Sequence, residues 1–201
     1  MNVKNILSHV HITTGEGKMK NIPSINVSSL SNSFCKLMSA NKKSVCGKCY
    51  SNRYSKMRPL LEKKLLDNSE LLSLNILSEE EVPSLNSRFV RFNSFGEIIN
   101  DIHYQNLIKI AKKNPFTTFG LWTKRSDIVM KYPKEPNIKY IYSVSMINGK
   151  KPPENVMEWF DKVFIVHKKD TKEEINCHGA CINCLICYTN NPVKIINEKV
   201  K

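Results

Sequence analysis

All seven cysteines of this 201-residue chain fall in two short loops near its two ends. The first cysteine loop, residues 35–49, reads CKLMSANKKSVCGKC, and the second cysteine loop, residues 177–187, reads CHGACINCLIC. The start of the chain shows no apolar signal segment, so its thiols are expected to stay reduced. Clustered reduced cysteines are typical of metal ligands or redox groups rather than disulfides. We therefore expect the fold to bring the two loops together around one shared metal site or two adjacent ones.

Each loop contains a CxxC pair, Cys46–Cys49 in the first and Cys184–Cys187 in the second. Two such pairs suit tetrahedral zinc, and thiolates also hold iron–sulfur clusters. The spacing does not choose between the two, because thiolate sites accept both. The candidate metal ligands are all seven cysteines: Cys35, Cys46, Cys49, Cys177, Cys181, Cys184 and Cys187.

Positive charge is concentrated beside the first cysteine loop. The chain has a net charge of +13, and the basic segment, residues 36–64, carries nine Lys or Arg against one acid, Glu62. Such a local field attracts polyanions, nucleic acid above all. The alternative interpretation is a solvated, lysine-rich surface. The candidate nucleic-acid contacts are Lys42, Lys43, Lys48, Arg53, Lys56 and Arg58.

Strand and helix patterns alternate along the chain. β-branched and aromatic runs predict strands, and apolar residues at spacings of three and four predict helices. Strands are expected over residues 22–30, 88–95, 117–124, 138–147 and 162–168, with a short strand or a frayed end after residue 190. Helices are expected over residues 51–77, 101–114, 126–130 and 153–160, with Pro59 kinking the first or starting a new helix and Ser126 capping the third.

This alternation predicts one α/β domain over residues 1–201, with metal-binding loops at 35–49 and 177–187. Helical crossovers imply a parallel sheet of about five strands, either a partial (β/α) barrel or an open sheet. Both cysteine loops would lie at its C-terminal rim, where functional loops gather. No apolar run is long enough to cross a membrane, so the expected location is the cytoplasm.

Two further polar motifs follow strands. The run NSFGE, residues 93–97, offers a glycine that lets a ligand approach and a carboxylate that binds an amino group, although a strand-to-helix turn explains it equally. The run WTKR, residues 122–125, offers cations for a carboxylate or phosphate. The candidate cofactor contacts are Ser94, Gly96, Glu97, Thr123 and Lys124. Motifs of phosphate-loop enzymes, serine hydrolases and zinc proteases are absent from the sequence, and no catalytic residue is assigned.

Three short runs resemble a known protein family, and the resemblance extends over about residues 22–190. They are CGKCY (46–50), RFNSFGE (91–97) and PFTTFGLWTKR (115–125). In order and character they resemble the bacteriophage gene-product-88-like family, which is itself similar to radical S-adenosylmethionine enzymes. The resemblance implies that Cys35, Cys46 and Cys49 hold a [4Fe–4S] cluster. It also implies that Gly96 and Glu97 contact S-adenosylmethionine.

The cysteine spacing departs from that enzyme superfamily. The first loop reads C-x10-C-x2-C where the superfamily has C-x3-C-x2-C. The superfamily spacing occurs instead at Cys177, Cys181 and Cys184, where Cys187 would fill the coordination position that catalysis leaves open. A cluster can therefore be kept without radical catalysis.

Two hypotheses follow. The first is a phage-encoded iron–sulfur protein with a site related to radical S-adenosylmethionine chemistry, acting on nucleic acid or a nucleotide. The second is a non-catalytic, zinc-stabilised phage protein that binds nucleic acid or a host factor through the basic segment.

Overall fold

The centre of the fold is a seven-stranded sheet, seen in a computed structural model that describes residues 9–200. Its strands are β1 (Ile12–Thr13), β2 (Ser24–Ile25), β3 (Phe89–Phe92), β4 (Thr118–Thr123), β5 (Ile138–Ser143), β6 (Lys162–His167) and β7 (Ile195–Lys199). They lie side by side in the order of the sequence. β1 pairs antiparallel with β2, and each later pair is parallel. The sheet is therefore mixed but mostly parallel.

The sheet has two more strands than the five expected. The two-residue strand β1 forms one edge, and the C-terminal tail forms β7 at the other edge. A barrel is not formed, because the described strands make an open sheet whose edges are β1 and β7. The open parallel sheet was one of the two architectures that the sequence predicted.

Seven α-helices connect the strands within residues 9–200. They are α1 (Ser33–Ala40), α2 (Tyr50–Met57), α3 (Pro59–Leu74), α4 (Asp101–Lys113), α5 (Ser126–Val129), α6 (Glu154–Trp159) and α7 (Cys181–Cys184). Pro59 begins a new helix, as its fixed φ and missing N–H favour. The prediction that Ser126 caps α5 is wrong: Arg125 is the N-cap and Ser126 is the first helical residue.

The main core lies between one face of the sheet and the helices. Alternate strand residues such as Val90, Phe92 and Leu121 point to this face and pack with Leu72 of α3 and Leu107 of α4. Every second strand residue faces the helices, and an apolar stripe with a period of 3.6 residues on each helix packs against them. This is the usual way in which both kinds of element bury apolar surface.

The other face of the sheet carries Phe89, Arg91, Gly120 and Trp122, which alternate with the core residues along β3 and β4. The second cysteine loop and Tyr188 pack against this face, and we call it the loop-covered face. None of the helices between residues 9 and 200 is long and apolar enough to cross a membrane. Residues 1–8, on which the expectation of no signal segment partly rests, lie outside the described residues.

Candidate metal centre

The first cysteine loop is partly helical, which the sequence did not predict. Cys35 lies in the first turn of α1, where its backbone N–H donates to the side chain of the N-cap Asn32 at 3.2 Å. The same Asn32 amide donates to the carbonyl of Glu97 at 2.8 Å. This buried Asn therefore fixes Cys35 against the segment that follows β3.

Cys46 and Cys49 belong to a 3-10 turn that is held beside the end of β5. The Ser44 hydroxyl accepts hydrogen bonds from the N–H groups of Cys46 (3.0 Å) and Gly47 (3.1 Å). The Val45 N–H donates to the carbonyl of Ser145 at 2.9 Å, just beyond β5. The CxxC pair thus lies at the carboxyl ends of the strands, where the sequence places it.

The three thiols of the first cysteine loop form one electrostatic group with Glu97 and Lys124. Burial raises the pKa of Cys35 strongly, and Glu97 and the two other thiols raise it further, while Lys124 lowers it. Burial also raises the pKa of Cys46, against the charge of Lys124. The thiols of Cys35 and Cys46 are therefore protonated at neutral pH until a metal displaces their protons.

Lys124 is the cation of this group. Its ammonium donates to the hydroxyl of Ser143 at 3.0 Å, across the ends of β4 and β5. No ion pair joins Lys124 to a carboxylate of the described residues. Its charge remains available to an anionic ligand beside the thiols.

Glu97 has a structural role at the same place. Its side chain is 5 % exposed, and Oε1 accepts from the Ile98 N–H at 2.9 Å and from the Thr123 hydroxyl at 2.7 Å. Oε2 accepts from the Lys124 N–H at 2.9 Å. The carboxylate ties the segment after β3 to the end of β4, and one acceptor direction of Oε2 remains for a ligand.

Gly96 and Ser94 have structural explanations. Gly96 has a φ of +75°, and a Cβ there would lie 2.4 Å from the carbonyl oxygen of Val27, so the fold itself requires glycine. The Ser94 hydroxyl donates to the Asn26 side chain at 2.8 Å, and its carbonyl accepts from the Tyr50 hydroxyl. Cofactor contact by these two residues stays a prediction.

The second cysteine loop encloses a small cavity. All four of its thiols line a space of about 20 Å³ together with Tyr188, around the short helix α7. A volume of about 10–15 Å³ holds one water, so this cavity has the size for a single ion rather than for a cluster. Four cysteine thiols are the ligand set of a tetrahedral zinc site. A zinc ion or a cluster requires these thiols to move closer together, because no three potential ligands within residues 9–200 are already arranged around an ion.

Lys18 anchors the start of the second cysteine loop. Its ammonium donates to the carbonyl of Cys177 at 3.0 Å and to the carboxylate of Glu198 on β7 at 2.6 Å, and it lies 3.9 Å from the Cys177 sulfur. The Cys177 N–H also donates to the carbonyl of Asn197 at 3.0 Å. A cation from the start of the chain therefore stands beside these thiols.

The far end of this loop reaches the middle of β4. The Tyr188 ring lies over Gly120, where an added Cβ would be 2.8 Å from a ring carbon. It also packs against Phe89 and Trp122, with ring centroids 5.5 and 6.0 Å away. The second cysteine loop thus extends from the carboxyl end of β7 across the loop-covered face, rather than staying at the rim.

Arg91 connects the two loops. Its guanidinium carbon lies 3.5 Å from the centroid of the Trp122 ring. Burial raises the pKa of Cys181, Cys187 and Tyr188 in or beside the second loop, and of Tyr50, which follows Cys49, and the positive charge of Arg91 opposes the rise in each case. Arg91 was not among the site residues predicted from the sequence, because a lone Arg inside a strand forms no recognisable motif.

Several buried polar atoms near Arg91 have no hydrogen-bond partner among the described residues. They are the Arg91 Nε, the Ser24 hydroxyl, the Tyr188 hydroxyl and both amide atoms of Asn93. Ser24 and Arg91 are register partners on β2 and β3, and Asn93 ends β3 with a φ of +55°. Buried polar groups without partners are rare in proteins.

The two sets of cysteines remain separate. All seven are free thiols, and the pKa of Cys35 responds to Cys46 and Cys49, whereas that of Cys187 responds to Cys177, Cys181 and Cys184. Over residues 9–200, no three His, Cys, Asp or Glu side chains are already arranged to hold a metal ion. The described residues therefore contain two separate groups of thiols rather than one shared group.

The six basic candidates all have exposed side chains. The guanidinium carbons of Arg53 and Arg58 lie 5.5 and 5.0 Å from the centroid of the Tyr54 ring. Arg58 also pairs with Glu16 at 3.2 Å. The basic segment is therefore accessible to a polyanion, with an aromatic ring close to two guanidinium groups.

The comparison with known families shows the family of this chain. Residues 11–185 match the model of the family described as Gene product 88, in agreement with the phage resemblance read from the sequence. No curated protein and no solved structure matches the chain. Because the matched region covers most of the 201 residues, this protein belongs to the Gene product 88 family.

Proposed function

We propose that this protein is a cysteine-ligated metalloprotein with an iron–sulfur cofactor on the first cysteine loop and a binding site for S-adenosylmethionine beside it. The observation that carries the proposal is the grouping of Cys35, Cys46 and Cys49 with Glu97 and Lys124 at the carboxyl ends of the strands. Nucleic acid or a nucleotide is the substrate class that the neighbouring basic segment favours.

The donor chemistry of these residues suits such a cofactor, and the three thiols must draw closer together to hold it. Three thiols suit three irons of a four-iron cluster, and the fourth iron is then left for a ligand that the protein does not supply. Lys124 and the remaining acceptor of Glu97 have the charges that complement the carboxylate and the ammonium of an amino acid. When bound, such a cluster supplies one-electron reduction, and these side chains supply binding and orientation.

The second cysteine loop serves as a separate, closed site in this proposal. Its four thiols surround one small cavity, and Lys18 and Arg91 lie beside them. A four-thiolate site carries excess negative charge, and these two cations offset it. Because four thiols leave no open coordination position, this site stabilises the fold and does not bind substrate.

The alternative is a non-catalytic, zinc-stabilised protein that binds nucleic acid or a host factor. The 20 Å³ cavity of the second loop favours it, because that space suits one ion. The structural role of Glu97 and Gly96 also fits this alternative, since neither residue needs a cofactor to explain its position.

Anaerobic purification followed by metal analysis and an absorption spectrum separates the two proposals. The iron–sulfur proposal expects iron, sulfide and a broad visible absorbance that Cys46→Ser removes and Cys184→Ser does not. The alternative expects zinc alone, with loss of zinc in Cys184→Ser. Protein that carries neither metal would contradict both.

Calorimetric titration with S-adenosylmethionine then tests the cofactor site. The reconstituted protein should bind it, and Lys124→Gln should weaken binding at least ten-fold with unchanged iron content. Lys112→Gln, an exposed lysine on α4, is the matched control. Absence of heat with the cluster-loaded protein would leave the zinc-stabilised binding protein as the proposal.

A further inference from the structure

A second cavity, of about 220 Å³, lies at the opposite end of the sheet from the first cysteine loop, where β5, β6 and β7 begin. Three lysines line it, Lys139, Lys162 and Lys194, together with Asp161 and the segment 189–191 that follows the second cysteine loop. None of these residues belongs to the candidate metal or cofactor sets. The cavity therefore needs an explanation of its own.

The sheet topology brings the three lysines together. Lys139 is the second residue of β5, Lys162 is the first residue of β6, and Lys194 directly precedes β7. Parallel strands start at the same edge of a sheet, and Lys162 is the register partner of Ile141. Three cations from consecutive strands thus converge on one space.

Lys162 is the most unusual of the three because it is only 4 % exposed. Its ammonium donates to the carbonyl of Val193 at 2.6 Å and to the side-chain oxygen of Asn191 at 2.9 Å. Both partners are neutral, and within residues 9–200 its third N–H has none. Burial lowers the pKa of Lys162, and the nearby Lys194 and Lys139 lower it further, against Cys187 and Asp161. A buried cation with neutral partners is unfavourable unless an anion accompanies it.

Asp161 does not neutralise these lysines. One of its oxygens accepts from Lys134 at 2.6 Å, and the other accepts from the Tyr140 N–H at 2.7 Å. The cavity therefore keeps an excess of positive charge. Asn190 adds a neutral donor, because its oxygen accepts from Lys139 at 2.8 Å and leaves its NH₂ group for a ligand.

We propose that this cavity binds the phosphate group of a ligand, with Lys139, Lys162 and Lys194 as its cationic contacts. A phosphate offers several oxygens in a tetrahedral arrangement, which matches three separate ammonium groups better than a planar carboxylate does. The volume holds one phosphate group with space for its ester substituent. The phosphate belongs either to a free nucleotide or to a nucleic-acid backbone, and the experiment distinguishes these sources.

The test is calorimetric titration of the metal-loaded full chain at low salt with inorganic phosphate, a nucleoside monophosphate and a single-stranded oligonucleotide. The double variant Lys139→Gln/Lys194→Gln keeps the buried Lys162 and is expected to fold. It should bind inorganic phosphate at least ten-fold more weakly than wild type. The double variant Lys112→Gln/Lys151→Gln removes the same charge at exposed positions and should bind as wild type does.

The three probes identify the source of the phosphate. Loss of monophosphate binding alone in the cavity variant assigns a free nucleotide, and a parallel loss of oligonucleotide binding assigns a nucleic-acid backbone. The proposal is overturned if wild type does not bind phosphate at millimolar concentration. It is also overturned if the control double variant loses as much affinity for phosphate as the cavity variant does. Metal content, measured in the same samples, keeps this result independent of the metal centre.

Discussion

The Thr123 hydroxyl donates a 2.7 Å hydrogen bond to the Glu97 carboxylate, across the carboxyl ends of β4 and β3. This buried pair sets the position of Lys124, whose N–H donates to the same carboxylate. One carboxylate therefore supports the end of the sheet and contributes charge beside Cys35. A substitution at Glu97 changes both stability and the candidate cofactor site, and the two effects need separate measurements.

Glu97→Gln is expected to lower the free energy of unfolding by about 1–3 kcal/mol. The new amide NH₂ would face a backbone N–H that now donates to the carboxylate, so two donors would oppose each other. Urea unfolding of the metal-loaded protein measures this loss. Thr123→Val removes one donor and should cost about 1 kcal/mol. A Glu97→Gln protein as stable as wild type would contradict the buried network.

The Glu97→Gln protein should also fail to bind S-adenosylmethionine if the carboxylate holds the ligand ammonium. Iron content should stay unchanged, since none of the thiols is altered. Retained binding in this variant would remove Glu97 from the candidate cofactor contacts and leave its structural role.

Arg91→Met is expected to weaken metal retention by the second cysteine loop about ten-fold or more, which is typical for residues that support metal ligands. The guanidinium is lost while an apolar side chain of similar length still covers Trp122. A competition titration with a chromogenic chelator measures the change. Arg88→Met removes the same charge from an exposed position and should retain metal as wild type does. If both variants lose metal equally, the effect comes from the net charge of the protein and not from the position of Arg91.

Changing the basic candidates Lys42, Lys43, Lys48, Arg53, Lys56 and Arg58 to Gln should reduce the salt dependence of nucleic-acid binding. Each lost phosphate contact lowers the slope of log K against log salt by about 0.7 for single strands. Filter binding over a range of salt concentrations gives this slope.

The control changes six other exposed lysines to Gln: Lys112, Lys150, Lys151, Lys168, Lys169 and Lys172. This set removes the same net charge away from the basic segment and should leave the slope nearly unchanged. If wild type does not bind nucleic acid at low salt, the basic segment is a solvated surface.

His103 should make the protein less stable in mild acid. It is fully buried on α4, its Nδ1 accepts from the Ile99 N–H at 3.1 Å, and burial lowers its pKa to about 3. In the unfolded chain this histidine binds a proton near pH 6.5. The contribution of the neutral His103 to the free energy of unfolding is therefore fully present above that pH and is lost as pH falls towards 3. Between pH 7 and pH 5 the loss is about 2 kcal/mol.

Urea unfolding at pH 7 and pH 5 measures this loss, with His103→Asn as the comparison. Asn retains an acceptor for Ile99 but does not titrate, so the two proteins should differ in pH dependence by that amount. Equal pH dependence would mean that His103 is protonated in the folded protein.

The sequence predicted the longer elements because their periodicity is visible over many residues. Asp101–Lys113 shows a regular apolar stripe, and Phe89–Phe92 is aromatic and β-branched. β1 has only two residues, so no alternation can appear in it, and β2 is limited to two of the nine residues, 22–30, that were predicted as a strand. α1 was missed because Asn32, whose side chain caps it at Cys35, is itself held by the distant Glu97 carbonyl, which no local pattern shows.

The candidate site was predictable only in its chemistry. Clustered cysteines identify thiol sites from the sequence, but the separation into two groups depends on where Tyr188 docks. That position is set by Gly120, whose missing side chain leaves space for the ring. The burial of Glu97 likewise depends on the ends of two strands meeting, and so it could not be inferred from the NSFGE run alone.

The sequential order of the seven strands also has a consequence for biosynthesis. Each strand pairs with the strand made just before it, so we expect the sheet to grow from its N-terminal edge while the chain leaves the ribosome. The first cysteine loop and its partners after β3, β4 and β5 are complete while the loop-covered face is still open. The second cysteine loop emerges near the end of synthesis and covers that face last. In the proposed metalloprotein, this order gives a metal donor time to reach the first loop beforehand.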